Sequence, residues 1–217
     1  MITALALSCY TMQAQMGPGP QIEFGLKAGF SGATLTDMGQ EVYGYSSIPS
    51  LHGGALLNIK FNDRINGFAL QPEAVISGQG GLSYNTDNNG YTHNFTTSLV
   101  YLNFPVLLQY QFRRGWRLET GPQFGVLLSA SDYNYYNQNG TIDRRSIYQS
   151  TDFSWVFGAG YIWRNGFGFD ARANVGLSDI NSDKTPGEDE NMNNDVVQIG
   201  AFYQFGHNPH YRRYSRE

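Results

Sequence analysis

Chemistry in this chain is concentrated in charged residues on alternating positions. Asp170 and Arg172 are two residues apart, as are Arg117 and Glu119. Glu23, Lys27, Lys60 and Glu73 occur in similar runs among glycines and amides. In an extended chain, residues two apart share a face. Opposite charges on one enclosed face can pair into a network that plugs a narrow interior and holds register, because an unpaired buried charge is costly. The competing chemistry is a proton or ion path. An eight-stranded interior is filled by its own side chains, so the expectation is a structural plug and no stable channel.

Nucleophilic chemistry is thinly supplied. The four histidines are His52, His93, His207 and His210. His52 is expected near the outer end of a second strand, His93 in a loop, and the other two in a C-terminal tail. Ser77, Ser129 and Ser154 are expected on the charged face of other strands, but no spacing links one of them to His52. Without a recognisable nucleophile–base pair, the reading is non-enzymatic, with no catalytic residue, cofactor or metal ligand assigned. The stretch 179–195 carries Asp183, Glu188, Asp189 and Glu190 but lacks EF-hand spacing. It reads as a solvated acidic loop, with calcium as the alternative that calorimetry tests. Tyr133, Tyr135, Tyr136 and Tyr148 lie among Asn and Gln. Tyrosine with small polar residues makes an adaptable contact surface, so these four are the candidate loop binding surface.

The elements that position these residues show a period of two. The clearest is a hairpin over 98–129, around Arg113-Arg114-Gly115. Val100, Leu102, Phe104, Val106, Leu108, Tyr110 and Phe112 share one face of its first arm, opposite Tyr101, Asn103, Pro105, Leu107, Gln109 and Gln111. The second arm sets Trp116, Leu118, Pro122, Phe124, Val126 and Leu128 against Arg117, Glu119, Gln123 and Ser129. Strict alternation means strands, and arms this long suit a tilted crossing of a membrane, which takes about 9–11 residues. The same pattern predicts strands over 21–31, 51–61, 67–79, 152–163, 167–178 and 195–205. Short turns at 62–66, 113–115 and 164–166 alternate with long polar loops at 32–50, 80–95, 130–151 and 179–194. This predicts an all-β fold, an eight-stranded antiparallel up-and-down transmembrane β-barrel. Both termini and the short turns would be periplasmic and the long loops extracellular.

Composition agrees. There are 217 residues, 15% charged, with 26 Gly, 15 Tyr and 14 Phe. Mean hydropathy is -0.39, and no run of 18 apolar residues exists, which excludes a helical membrane protein. The net charge of -4 makes no case for nucleic acid. Residues 1–14 read as the apolar part of a signal peptide without a basic start, and 15–20 as a flexible lead-in. The barrel would occupy 21–205 and a polar, partly basic tail 206–217. The only cysteine, Cys9, falls in the leader, so the mature chain would have no disulfide and no cysteine metal site.

Which face points inward follows from volume. The apolar face is too bulky for an eight-stranded interior, so it faces lipid and the charged, glycine-rich face lines the lumen. Aromatics flank every short turn: Phe61 and Phe68, Phe112 and Trp116, Trp163 and Phe167, with Phe24 near the start of the first strand and Phe205 at the end of the last. That is a girdle at one membrane interface.

The segments GLKAGFSGATLTD (25–37), LQPEAVIS (70–77), YLNFPVLLQYQF (101–112), GPQFGVLLSA (121–130) and FGAGYIW with GFGFDARANVGLSDI (157–180) together resemble the PorT-like outer-membrane β-barrels of the Bacteroidota. The resemblance implies insertion by the outer-membrane assembly machinery, with Phe205 as the terminal aromatic signal. Twelve residues follow Phe205, a departure that makes the signal internal. The founding member's role in type IX secretion and gliding transfers weakly, since most relatives have no known role. Three roles stay open: an envelope interaction protein working through its outer loops, an accessory subunit of a secretion or nutrient-uptake complex, and a small outer-membrane enzyme. The expected partners are outer-membrane lipid, the assembly machinery, other outer-membrane proteins and no nucleic acid.

Overall fold

The computed structural model describes residues 21–37, 46–61, 66–86, 92–134, 142–143, 150–178 and 192–207. The strands are β1 (Gln21–Asp37), β2 (Ser46–Lys60), β3 (Gly67–Thr86), β4 (Thr92–Gln111), β5 (Trp116–Asn134), β6 (Ile142–Asp143), β7 (Thr151–Ile162), β8 (Phe167–Gly176) and β9 (Met192–Gln204). They run in the order β4-β3-β2-β1-β9-β8-β7-β5, and a β4–β5 pairing closes the ring. All pairings are antiparallel. β6 is a two-residue addition to the long-loop end of β5, against Ser131 and Asp132, so eight strands make the barrel. Closure matters because a membrane offers no water to satisfy an open edge.

The pleat sorts residues as expected. β8 alternates exposed and buried along its whole length. Phe167, Phe169 and Val175 point outward while Asp170, Arg172 and Asn174 are buried inside. The core of this molecule is therefore its polar lumen, and its apolar residues form the outer wall. Trp155 shows how the wall handles a polar atom: its indole N–H donates to Thr120 Oγ1 at 2.8 Å.

Several strands extend beyond their apolar segments. β1 continues to Asp37, β2 begins at Ser46, β3 and β4 reach Thr86 and Thr92, and β9 begins at Met192. Ladder hydrogen bonds do not need apolar side chains, so Thr- and Ser-rich flanks continue the sheet past the bilayer. His93, expected in a loop, is in β4 opposite Asn85. Between Val100 and Tyr101 the β4–β5 register shifts: Val100 faces Ser129, whereas Tyr101 faces Leu127. The extra residue is a bulge. It turns Ser129 outward, against expectation, and Ala130 inward.

Two short turns share one construction. Phe112 N–H donates to Trp116 O at 2.8 Å, and Gly115 N–H to Phe112 O at 3.1 Å. Trp163–Phe167 and Gly166–Trp163 repeat this at 2.8 and 3.1 Å. The glycines take φ of 96° and 86°, the left-handed position that a three-residue hairpin loop requires.

Candidate functional site: the lumen and its two ends

Strands from all around the ring bring the predicted charges into one interior. Arg172 on β8 is the hub. Its Nη1 and Nη2 each lie 2.8 Å from an oxygen of Glu73 on β3. Its Nε donates to Glu119 on β5, and Nη2 lies 3.4 Å from Asp170. Lys27 on β1 completes the cluster, 3.1 Å from Asp170 and 3.5 Å from Glu73. These side chains are at most 2% exposed. Buried charges at this depth persist only when paired and hydrogen-bonded, and amides add hydrogen bonds to the two glutamates, while Asp170 Oδ1 has no hydrogen-bond partner among the described residues. Gln71 donates to Glu73 at 2.6 Å and Gln109 to Glu119 at 2.7 Å. Asn58 donates to both glutamines, at 3.0 and 2.8 Å.

The other predicted charges lie apart from this cluster. Lys60 and Glu23 pair at the short-turn end. His207 joins them, with Nδ1 3.1 Å from Glu23. The first histidine of the segment read as a polar tail, His207, thus packs against the lumen mouth. Arg117 makes no side-chain hydrogen bond among the described residues. Its guanidinium stacks 3.8 Å above the Phe202 ring, a cation–π contact that a desolvated site strengthens. Glu23, Glu73, Glu119 and Asp170 balance Lys27, Lys60, Arg117 and Arg172 in number. Glycines make room for these side chains: a Cβ on Gly158 would lie 2.8 Å from Glu119 Oε1 and 2.9 Å from Arg172 Cγ.

Towards the long-loop end the lumen changes character. Leu99, Tyr101, Leu127 and Ala130 form a buried apolar cluster. Elsewhere in the lumen, at mid-height and nearer the short turns, Val156, Leu56, Leu107 and Phe202 also point inward. The reading of the inner face as polar misses this cap. The signal available for the cap was Tyr101 on the inner row, but the bulge that brings Ala130 inward leaves no mark in the alternation.

His52, expected near the outer end of its strand, is well inside β2, buried and in register with Ser77 on β3. The fold therefore sets a histidine beside a serine that no sequence spacing linked to it. They are not hydrogen-bonded. Ser77 Oγ accepts from Asn103 at 2.8 Å and Gln79 at 3.1 Å, and neither His52 ring nitrogen has a partner among the described residues. Ser154, also buried, accepts from Gln123 at 3.1 Å.

Outside, the girdle residues Phe61, Phe68, Phe112, Trp116, Trp163, Phe167 and Phe205 all face outward. Tyr110, Tyr161 and Tyr203 knit them together. Ring centroids are 5.1 Å apart for Phe68–Tyr110, 4.8 Å for Tyr110–Phe112, 5.3 Å for both Trp116–Tyr161 and Tyr161–Trp163, and 4.9 Å for Tyr203–Phe205. Phe205 stacks on Phe24 at 5.9 Å, and its N–H donates to Phe24 O at 2.7 Å, which carries the belt across the β9–β1 seam. Tyr133 lies in β5. Tyr135, Tyr136, Tyr148, the acidic residues 183–190, the leader 1–20 and the tail beyond 207 lie outside the described residues. Asp195 is described, and its Oδ1 accepts from the Gly176 N–H at 3.1 Å.

The family model for the outer membrane protein beta-barrel domain matches residues 13–182. The match stops short of β9, yet β9 pairs with both β1 and β8 and completes the ring. Among solved structures, Neisserial surface protein A (NspA) is similar at a TM-score of 0.53 and 11% identity, covering 84% of this chain and 97% of that one. OprG from Pseudomonas aeruginosa is similar at 0.44 and 14%, covering 86% and 97%. Ail of Yersinia pestis, in complex with a heparin analogue, is similar at 0.44 and 14%, covering 85% and 99%. At these identities the likeness concerns fold, and only the first score supports it. No curated protein sequence matches.

Proposed function

This chain belongs to the outer membrane protein beta-barrel domain family, and on that premise we propose a non-enzymatic role in the bacterial envelope, exercised at the ends of the barrel. It is a bacterial outer-membrane barrel. The observation that carries the proposal is the lumen. Its central Arg172 and Lys27 are paired with carboxylates, its side chains fill the interior, and its long-loop end carries an apolar cluster. A lumen filled in this way is a scaffold and not a conduit, and the outer wall is committed to lipid. The rims and loops are then the working surfaces, either for an external ligand or for docking in a larger assembly. Both termini and the short turns face the periplasm in this reading, as in other outer-membrane barrels, and the PorT-like resemblance makes other outer-membrane proteins the first partners to look for.

The test is extraction of the native membrane in mild detergent, with the tagged protein sized and its companions identified by mass spectrometry. A lone barrel supports action through the loops. Stoichiometric companions make it a complex subunit. Labelling of Ser77 or His52 by a serine- or histidine-directed probe in the folded protein would overturn the non-enzymatic reading. Trypsin added to intact cells tests orientation: the expected result is that Arg113 and Arg114 are cut only after the outer membrane is permeabilised.

A further inference from the structure

We propose that the lumen binds one ordered water molecule between His52 and Asp170, at Gly200. These residues lie in one row across the sheet. Asp170 on β8 is opposite Gly200 on β9, Gly200 is opposite Gly29 on β1, and Gly29 is opposite His52 on β2. Two adjacent glycines therefore leave a trough in the inner wall between a carboxylate and an imidazole. The His52 ring lies over Gly29, with Cε1 2.7 Å from where a Cβ on that glycine would sit. Its Nε2 reaches on to Gly200. The Cβ position of Gly200 is 3.0 Å from His52 Nε2, 3.2 Å from Ala28 O and 3.3 Å from Asp170 Oδ1. At Gly54 and Gly168 the same position runs into backbone or ring atoms, so Gly200 is a place where the interior has room.

The polar atoms around this point need a partner. His52 and Asp170 are 4% and 0% exposed. Neither His52 Nε2 nor Asp170 Oδ1 has a hydrogen-bond partner among the described residues, and a buried donor or acceptor left unpaired carries its full desolvation cost. A buried water typically makes about three hydrogen bonds to such groups. One water here accepts from His52 Nε2–H and donates to Asp170 Oδ1 and to Ala28 O, a carbonyl with two lone pairs. Charge selects water over an ion. Asp170 Oδ2 already faces Lys27 at 3.1 Å and Arg172 at 3.4 Å. A further cation would be repelled by both, and an anion would meet the Asp170 carboxylate. A neutral ligand that accepts and donates fits. The water joins His52, and with it β2, to the ion pairs of β1, β3, β5 and β8.

The test uses the whole barrel in lipid bilayers and solid-state NMR of 15N-labelled histidine, with the His52 signal assigned by its loss in His52→Gln. The expected result is a ring protonated at Nε2, with a dipolar cross-peak from water to that proton. In Gly200→Ala the methyl group takes the water's place and the cross-peak is lost. Gly200→Ser puts a hydroxyl there and restores a hydrogen bond, so its urea midpoint should lie above that of Gly200→Ala. Space alone predicts the opposite order, since serine is the larger residue. Heat-dependent gel mobility first shows that the variants are folded, and the wild-type spectrum decides the matter if they are not. A wild-type ring protonated only at Nδ1, or one without the water cross-peak, overturns the proposal. So does a cross-peak that survives Gly200→Ala, or a Gly200→Ser midpoint at or below that of Gly200→Ala. A His52 shift that changes when sodium chloride is replaced by rubidium bromide would mark an ion at the site and overturn the water assignment.

Discussion

Arg172 touches three carboxylates on three strands, so its loss would leave Glu73 and Asp170 with Lys27 and take from Glu119 its ion-pair partner among the described residues. Removing one member of a buried ion network costs about 3–5 kcal/mol, mostly from the charges left behind. Arg172→Met is therefore expected to lower the unfolding free energy of the refolded barrel by about that amount, read from urea titration in lipid. Lys60→Met should cost less, about 1 kcal/mol, because the Lys60 side chain is 13% exposed at the lumen mouth and water screens what it leaves behind. Equal effects would mean that the lumen is hydrated throughout. The charges and their shared face are legible as alternation. The choice of partner is not, because Arg172 and Glu73 are 99 positions apart and meet only after the ring closes.

At the scale of elements, the turns and the wall make separate demands. Gly115 combines φ of 96° with a backbone oxygen, Ile162 O, 2.4 Å from where a Cβ would sit. Gly115→Ala is expected to destabilise by about 1–3 kcal/mol and to slow appearance of the compact gel band on refolding. Phe157 is six residues from girdle Trp163 along β7. At about 3.3 Å per residue and a tilt near 40°, that places it about 15 Å from the interface, close to the bilayer centre. Phe157→Arg should cost about 2–4 kcal/mol, and Phe112→Arg at the interface about 1 or less. Equal costs in the same titration would mean that the girdle does not mark the interface. Turn chemistry was readable from Arg113-Arg114-Gly115 and Arg164-Asn165-Gly166. Strand length was not, since the extensions of β1 to Asp37 and β3 to Thr86 are built from polar residues that look like loop.

For the whole molecule, the filled lumen makes a direct prediction. Purified protein in a planar bilayer should give no steady single-channel conductance, and stable current steps would refute the plug. An absence of conductance would leave the ends of the barrel as the surfaces at which the proposed function is exercised.

The sequence by itself determined the class of fold, the sidedness of each strand and the composition of the two faces. It could do so because a period of two is a local property, and because volume forbids the bulky face from turning inward. Only the tertiary structure decided what closure brings together. The bulge opposite Val100, the inward turn of Ala130, the stacking of Arg117 on Phe202, the juxtaposition of His52 with Ser77 and the docking of His207 on Glu23 all depend on register between strands. Register is settled by the cooperative fit of the whole ring, so residues far apart in the chain acquire neighbours that no local pattern records.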